Sequence, residues 1–418
     1  MEDLEALADE LDRRLADADA ALLASYPGDR GVRQPVHTVY VPADRFAADT
    51  LGDWGDEARL ALATHGRSAM DLAEALELRP SLADEVYDRV RAKLEREPIE
   101  DLRIDFEDGY GIRPDDHEDA AATGAAEALA ETIRAGAAAP FHGLRIKSFE
   151  APTRRRGLRT LDLFVAALAR HDALTDGFVV TLPKVTSVDQ VEAFVTALAA
   201  IEAAHDIPGG SLRFEIQIET PQAILGADGT ALVARMIAAG AGRVTGLHYG
   251  TYDYSASLGV AAAHQSMEHP VADHAKNVMQ VAAAGTGVFV SDGSTNVLPV
   301  GDQAAVRAAW RLHVRLIGRS LARGIYQGWD LHPAQLPSRY VATYAFYREG
   351  LGEAAARLRA YVHGGDSAFL DEPATAVALA GFIIRGLECG AVDPAEVDKL
   401  VGVEPERLAV LARRPVAP

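Results

Sequence analysis

The sequence predicts an α/β chain folded as a (β/α)₈ TIM barrel with N-terminal and C-terminal helical extensions, and three observations predict it. Short β-branched runs alternate with longer alanine-rich, helix-patterned segments from about residue 36 onward, as expected when parallel strands are joined by crossover helices. The runs number eight, which favours closure into a barrel over an open sheet. Most runs end on or near an ionisable residue, and in a barrel all the carboxyl ends of the strands converge on one mouth.

In chain order the runs are HTVYVP (37–42), LRIDFED (102–108), LRIKSF (144–149), FVVTLPK (178–184), LRFEIQIE (212–219), RVTGLHYG (243–250), GVFVSD (287–292) and GWDLHP (328–333). The first interval has room for two or three helices, among them DEARLALATHG and SLADEVYDRVRAKLE. Residues 1–35 are read as an N-terminal helical extension, 36–340 as the barrel, and 341–418 as a C-terminal helical extension serving as a lid or an oligomer contact. The alanine abundance reflects helix propensity, and no internal repeat is visible.

At 418 residues and 49% hydrophobic, the chain can bury a large core as one elaborated domain. The single cysteine, Cys389, excludes an intramolecular disulfide or a thiolate metal cage, fits a reducing cytoplasm, and leaves the chemistry to oxygen and nitrogen groups. The acidic, amphipathic amino terminus has no cationic segment before an apolar run, and no stretch approaches the length of a membrane span. A net charge of −20 argues against nucleic acid as a partner. Arg154, Arg155, Arg156 and Arg159 form the one local basic run, read as a solvated loop or a contact for an anionic ligand group.

The strand ends carry Glu107 and Asp108, Arg145, Lys184, Glu219, Asp253 just beyond its strand, Asp292 and His332. In the fifth run Glu215, Gln217 and Glu219 alternate with Phe214, Ile216 and Ile218, so three polar side chains share one strand face. Barrel strands are covered outside and packed within, so that polar row requires cationic or metallic partners. Asp253 sits in HYGTYDYSASLG among backbone and hydroxyl donors. Paired with Glu219 it offers the two-carboxylate arrangement that Mg²⁺ favours, with Mn²⁺ an alternative; no His/Cys spacing supports zinc.

DFEDGYG reads either as an acidic turn or as a substrate-orienting segment. Arg145 and Lys184 each need an anion if they point inward, and Lys147 shares the strand parity of Arg145. His332, before Pro333, reads as a structural hydrogen-bonding histidine ahead of a catalytic one. Gly240, Gly242 and Gly246 precede a strand rather than follow one, so they are no dinucleotide loop, and neither a P-loop nor a GxSxG elbow is present.

Across residues 37–340 these segments resemble the HpcH/HpaI aldolase and citrate lyase β-subunit-like superfamily, to which malyl-CoA lyases are related. VYVPADRF resembles its first-strand segment, IDFEDG its D-L-E-D segment, LRIK its R-x-N and LPKV its L-P-K-V/I. IETPQAI resembles I-E-T-x-x-A, YGTYDYSASLG resembles G-x-x-D-L-S-x-x-L-G, and LHPAQL resembles H-P-x-Q. The sequence departs from the pattern at Lys147, where asparagine is usual, at Tyr254 in place of leucine, and in its longer first crossover.

The resemblance implies a cytoplasmic, Mg²⁺-dependent carbon–carbon lyase of aldolase or Claisen type, acting on a keto acid or an acyl-CoA and assembled as a homo-oligomer, trimer or hexamer. Glu219 and Asp253 match its metal ligands and Arg145 its enolate-stabilising arginine. Glu107, Asp108 and Lys184 then orient and balance charge. FLDEPATAVALAGF resembles a tail segment that closes over a neighbouring subunit's site, which makes Asp371 a candidate acid; its local alternative is a helix N-cap. A malate-synthase-like condensing enzyme and a catalytically silent binding or regulatory barrel are the alternatives.

Overall fold

The runs become eight parallel strands in the computed structural model, which describes residues 2–364 and 372–414. They are β1 (His37–Pro42), β2 (Asp101–Asp105), β3 (Phe141–Arg145), β4 (Phe178–Leu182), β5 (Arg213–Ile218), β6 (Val244–Tyr249), β7 (Phe289–Ser291) and β8 (Gly328–Asp330). Each of the first six pairs with the next in sequence, and β8 pairs with β1. A parallel bridge between Ser291 and Gln327 closes the cylinder, with Asp292 N donating to the Gln327 carbonyl (2.8 Å) and Trp329 N to that of Gly293 (3.0 Å).

Several runs end as strands earlier than the sequence pattern suggests. Backbone pairing in β2 stops at Asp105 and in β3 at Arg145, so the residues that follow them leave the strand parity and form the turns of the mouth.

The first crossover holds three helices, Thr50–His65, Ala69–Leu76 and Pro80–Arg96. Helix starts follow local chemistry: Ser187 accepts from Gln190 N and Asp302 from Ala305 N, and proline opens Pro270–Ala283, Leu336–His363 and Pro373–Cys389 within the first turn. The helix Leu336–His363 begins a few residues after β8 and is fastened to the barrel by Asp330. That buried carboxylate receives Arg339 in a fork (2.9 and 3.0 Å), His37 (2.7 Å) and His313 (3.2 Å). An amino-terminal helix, Glu2–Ser25, precedes the barrel, and among the described residues no helix is long and apolar enough to cross a membrane.

Strand side chains sort by parity. Val39, Leu102, Ile104, Leu144, Val180, Phe214, Ile216 and Leu247 are fully buried against the helices, and this outer layer supplies most of the hydrophobic stabilisation. The inward set is polar. Arg103, 1% exposed, pairs with Asp101 and forks onto Glu215 (3.1 and 2.8 Å), and His248 closes on Glu215 at 3.0 Å. Thr38 donates to Asp101 (2.8 Å), and Thr181 and Arg103 share an oxygen of Glu215. Against the cost of its burial, Arg103 and His248 hold the Glu215 carboxyl far below the ordinary range. Glu215 therefore finds the cationic partner that the polar row of β5 requires.

Replacing Arg103 with Met is expected to destabilise the protein by about 3–5 kcal/mol, because two buried carboxylates lose their cation. Urea unfolding measures it, and a loss below about 1 kcal/mol would mean the interior pairs carry little weight.

Candidate active site at the carboxyl mouth of the barrel

Asp105, the last residue of β2, anchors the mouth. Its two oxygens take Nε and Nη2 of Arg145 at 2.7 Å each, and the backbone N–H groups of Glu107 (2.9 Å) and Gly109 (2.8 Å). Position 109 admits only glycine, since a Cβ there would lie 2.6 Å from the Asp105 carboxylate. The turn that follows β2 is thus wound around one carboxylate. Arg145 is stacked on the Tyr40 ring at 4.7 Å, with Trp329 packed beside that ring at 4.9 Å. With Nε and Nη2 committed to Asp105, Nη1 is left with a longer contact to Glu107 at 3.5 Å.

Lys184 follows β4 in the left-handed region, φ +52°, which a non-glycine residue occupies only at a cost. That conformation aims its backbone N–H at Glu219 (3.0 Å) while Nζ reaches Glu107 and both oxygens of Asp108 (2.8 and 3.0 Å).

Glu219 is 3% exposed. Its carboxyl is wedged against Gly250, where an added Cβ would lie 2.3 Å from Glu219 Cγ and 2.8 Å from Oε1. Burial first, and then the charges of Glu107 and Asp253, outweigh Arg145 and Lys184 and push its pKa up to about 8. Asp253 lies in the first turn of the helix Thr251–Ser257, exposed at the rim, with no ion pair or hydrogen bond from its carboxylate among the described residues. Beneath them Gln217 Nε2 donates to the Tyr40 hydroxyl (3.2 Å), and Gln217 Oε1 is buried without a partner.

Glu107, Asp108, Arg145, Lys184, Glu219 and Asp253 therefore share one mouth. Three other strand-end residues do not join them. Asp292 is sealed in a buried pair with Lys276 (2.8 Å) and Ser320 (2.6 Å). His332 accepts from Ala334 N (3.1 Å) and so caps the next turn. Lys147, expected inward by parity, lies beyond the end of β3 and turns behind the acidic turn to the Phe106 carbonyl (2.7 Å) and Glu118 (2.8 Å). In the basic run, Arg156 and Arg159 are both spent on Asp119. Asp371 lies outside the described residues. Sequence reasoning missed Asp105 and Tyr40; the parity of Asp101, Arg103 and Asp105 on β2, pairing Asp105 with Arg145 across the ladder, is the signal that could have found the first.

With Glu219 ionised, five carboxylates (Asp105, Glu107, Asp108, Glu219 and Asp253) share the mouth with two cations, Arg145 and Lys184. Such an excess fits a divalent cation. No cluster of three or more His, Cys, Asp or Glu side chains spaced to hold a metal occurs among the described residues. A hard ion at Glu219 and Asp253 would then complete its shell with water and substrate oxygens, the habit of Mg²⁺.

The chain matches the family described as Domain of unknown function (DUF6986) over residues 15–416 and belongs to it. No curated protein matches the sequence. Among solved structures, a citrate lyase from Burkholderia xenovorans LB400 is similar, with a TM-score of 0.60 at 18% identity, covering 89% of this chain and 97% of that one. A malate synthase from Haloferax volcanii gives 0.49 at 15% identity over 92% and 96% of the two chains. CitE from Mycobacterium tuberculosis, in complex with magnesium, acetoacetate and coenzyme A, gives 0.49 at 18% over 86% and 99%. The citrate lyase likeness bears out the barrel fold that the motif resemblance implies.

A carboxyl whose pKa is raised on folding contributes stability at pH values below its unfolded pKa and loses it as pH rises through the folded value. Stability of the metal-free protein is thus expected to fall between about pH 5 and the Glu219 pKa of about 8, and to fall less in Glu219→Gln. Urea midpoints across that window measure it; parallel curves for the two proteins would reject Glu219 as the titrating group.

Proposed function

We propose that this member of the DUF6986 family is a Mg²⁺-dependent carbon–carbon lyase of aldolase or Claisen type, with Mn²⁺ an alternative ion, acting on a keto acid or a hydroxyacyl-CoA. The observation that carries this reading is the unbalanced carboxylate charge centred on buried Glu219 beside a rigidly held arginine. The motif resemblance and the citrate lyase fold support it.

Glu219 and Asp253 would hold the metal, which when bound supplies Lewis acidity to the oxygens of a keto acid. The remaining roles fall to this chain. Asp105 fixes the guanidinium plane of Arg145, so Arg145 needs no reorganisation when negative charge grows on a substrate carbonyl during carbon–carbon cleavage. Its Nη1, only loosely engaged by Glu107, is the nitrogen free to donate to that oxygen. Lys184 neutralises Glu107 and Asp108 and holds one oxygen of Glu219 through its backbone N–H. Condensation is the same chemistry run in the opposite direction, so a malate-synthase-like activity uses the same groups.

Turnover of a panel of 3-hydroxyacyl-CoA esters and hydroxy keto acids is expected to require Mg²⁺ or Mn²⁺ and to stop with a chelator. The absence of both turnover and Mg²⁺ binding would sink the proposal. Glu219→Ala and Asp253→Ala should each weaken Mg²⁺ binding at least about tenfold by calorimetry; unchanged affinity in both would move the metal elsewhere. Arg145→Lys loses the fork to Asp105 and is expected to lower kcat about a hundredfold while retaining Mg²⁺ binding.

A further inference from the structure

The end of the barrel opposite the mouth is crossed by residues 26–36. Gly28 N donates to the Gly285 carbonyl (2.8 Å), Gln34 Nε2 to that of Val290 (3.2 Å) and Val36 N to Glu100 (2.8 Å). Between this segment and the strand starts lies a cavity of about 90 Å³, which shares Val32, Asp176 and Arg213 as walls with a larger outer cleft of about 690 Å³.

Two arginines line the small cavity without counter-ions to match them. The Arg30 guanidinium lies over the Phe289 ring at 5.0 Å and makes a 3.4 Å bond to the Thr245 carbonyl, while its buried Nε has no partner. The adjacent Asp29 is engaged elsewhere, with Gly31 N (2.7 Å) and Arg414 (3.2 Å). Arg213, the first residue of β5, has no side-chain ion pair or hydrogen bond among the described residues. Burial first, and then the positive charge of Arg213, lower the pKa of Arg30, so the two guanidinium groups feel each other.

The carboxylates deeper in the cavity, Asp101 and Glu215, are already held by Arg103 and their hydroxyl partners. Asp176, on the shared wall, is the remaining acid of the lining. Paired donors of this kind match the oxygens of a carboxylate or a phosphate, and partial exclusion of water strengthens the contact.

We propose that this cavity is a second ligand site, which takes the carboxylate or phosphate group of a small anion between Arg30 and Arg213, the rest of the ligand extending into the outer cleft. It is independent of the chemistry assigned to the mouth.

Calorimetric titration of the full chain with inorganic phosphate and, separately, with acetate tests it, with ionic strength held constant by sodium chloride. Saturable binding of at least one anion is expected, and the tighter of the two identifies a phosphate ester or an organic acid as the ligand class. Arg213→Met should weaken that binding about tenfold, the loss of one charge-assisted contact. Arg30→Met should do the same, but Arg30 packs on Phe289, so the exposed Arg213 carries the decision if that variant fails to fold. No saturable binding of either anion overturns the proposal, as does binding that Arg213→Met and Arg213→Glu leave unchanged. Binding lost in Glu219→Gln but kept in the Arg213 variants would move the anion to the mouth and overturn it too.

Discussion

A barrel that carries ionisable side chains on its inward face must neutralise them where they stand, because little water reaches them and neighbouring strands cannot move apart. Arg103 is the residue on which this depends. Spanning from β2 to β5, it answers Asp101 and Glu215 together, while Thr38, Thr181 and His248 take up the remaining lone pairs. Bulky aliphatic side chains ordinarily fill such interiors. Here they sit on the outer face of the strands, under the helices, and the centre is held by charge.

The mouth is governed by the same constraint with a different outcome. One layer above Arg103, Asp105 and Arg145 satisfy each other, and Lys184 satisfies Glu107 and Asp108. Glu219 and Asp253 are then left without a cation of their own, and Glu219 is too deeply buried to shed that imbalance into solvent. The glycines at 109 and 250 belong to this arrangement, since each leaves room for a carboxylate that a side chain would displace. A pair fully compensated below and an uncompensated pair above give the barrel a rigid floor and a receptive rim.

Much of the mouth was legible in linear sequence, and the failures share a cause. Strand parity correctly placed Glu215, Gln217 and Glu219 on one face of β5, because β5 keeps its ladder pairing as far as Ile218. The same rule misplaced Lys147, because β3 ends at Arg145 and the chain is free to turn away beyond it. Asp292 looked equivalent to Glu219 at a strand end, yet Lys276, from the helix Pro270–Ala283, captures it. Asp105 was overlooked in favour of the two acids that follow it, although only Asp105 lies within the strand and so faces Arg145 directly.

By itself the sequence determined the barrel, the order of its strands and the residue types brought to the carboxyl ends, since periodicity and turn chemistry are local properties repeated along the chain. Which acids are satisfied and which are left wanting a cation was decided only by tertiary structure. That outcome depends on partners such as Asp105 with Arg145, Glu215 with Arg103 and Asp292 with Lys276, some of them far apart in sequence. Whether a carboxylate is neutralised is set by distances of about 3 Å and by the exclusion of water, and neither is written in the spacing of residues along one strand.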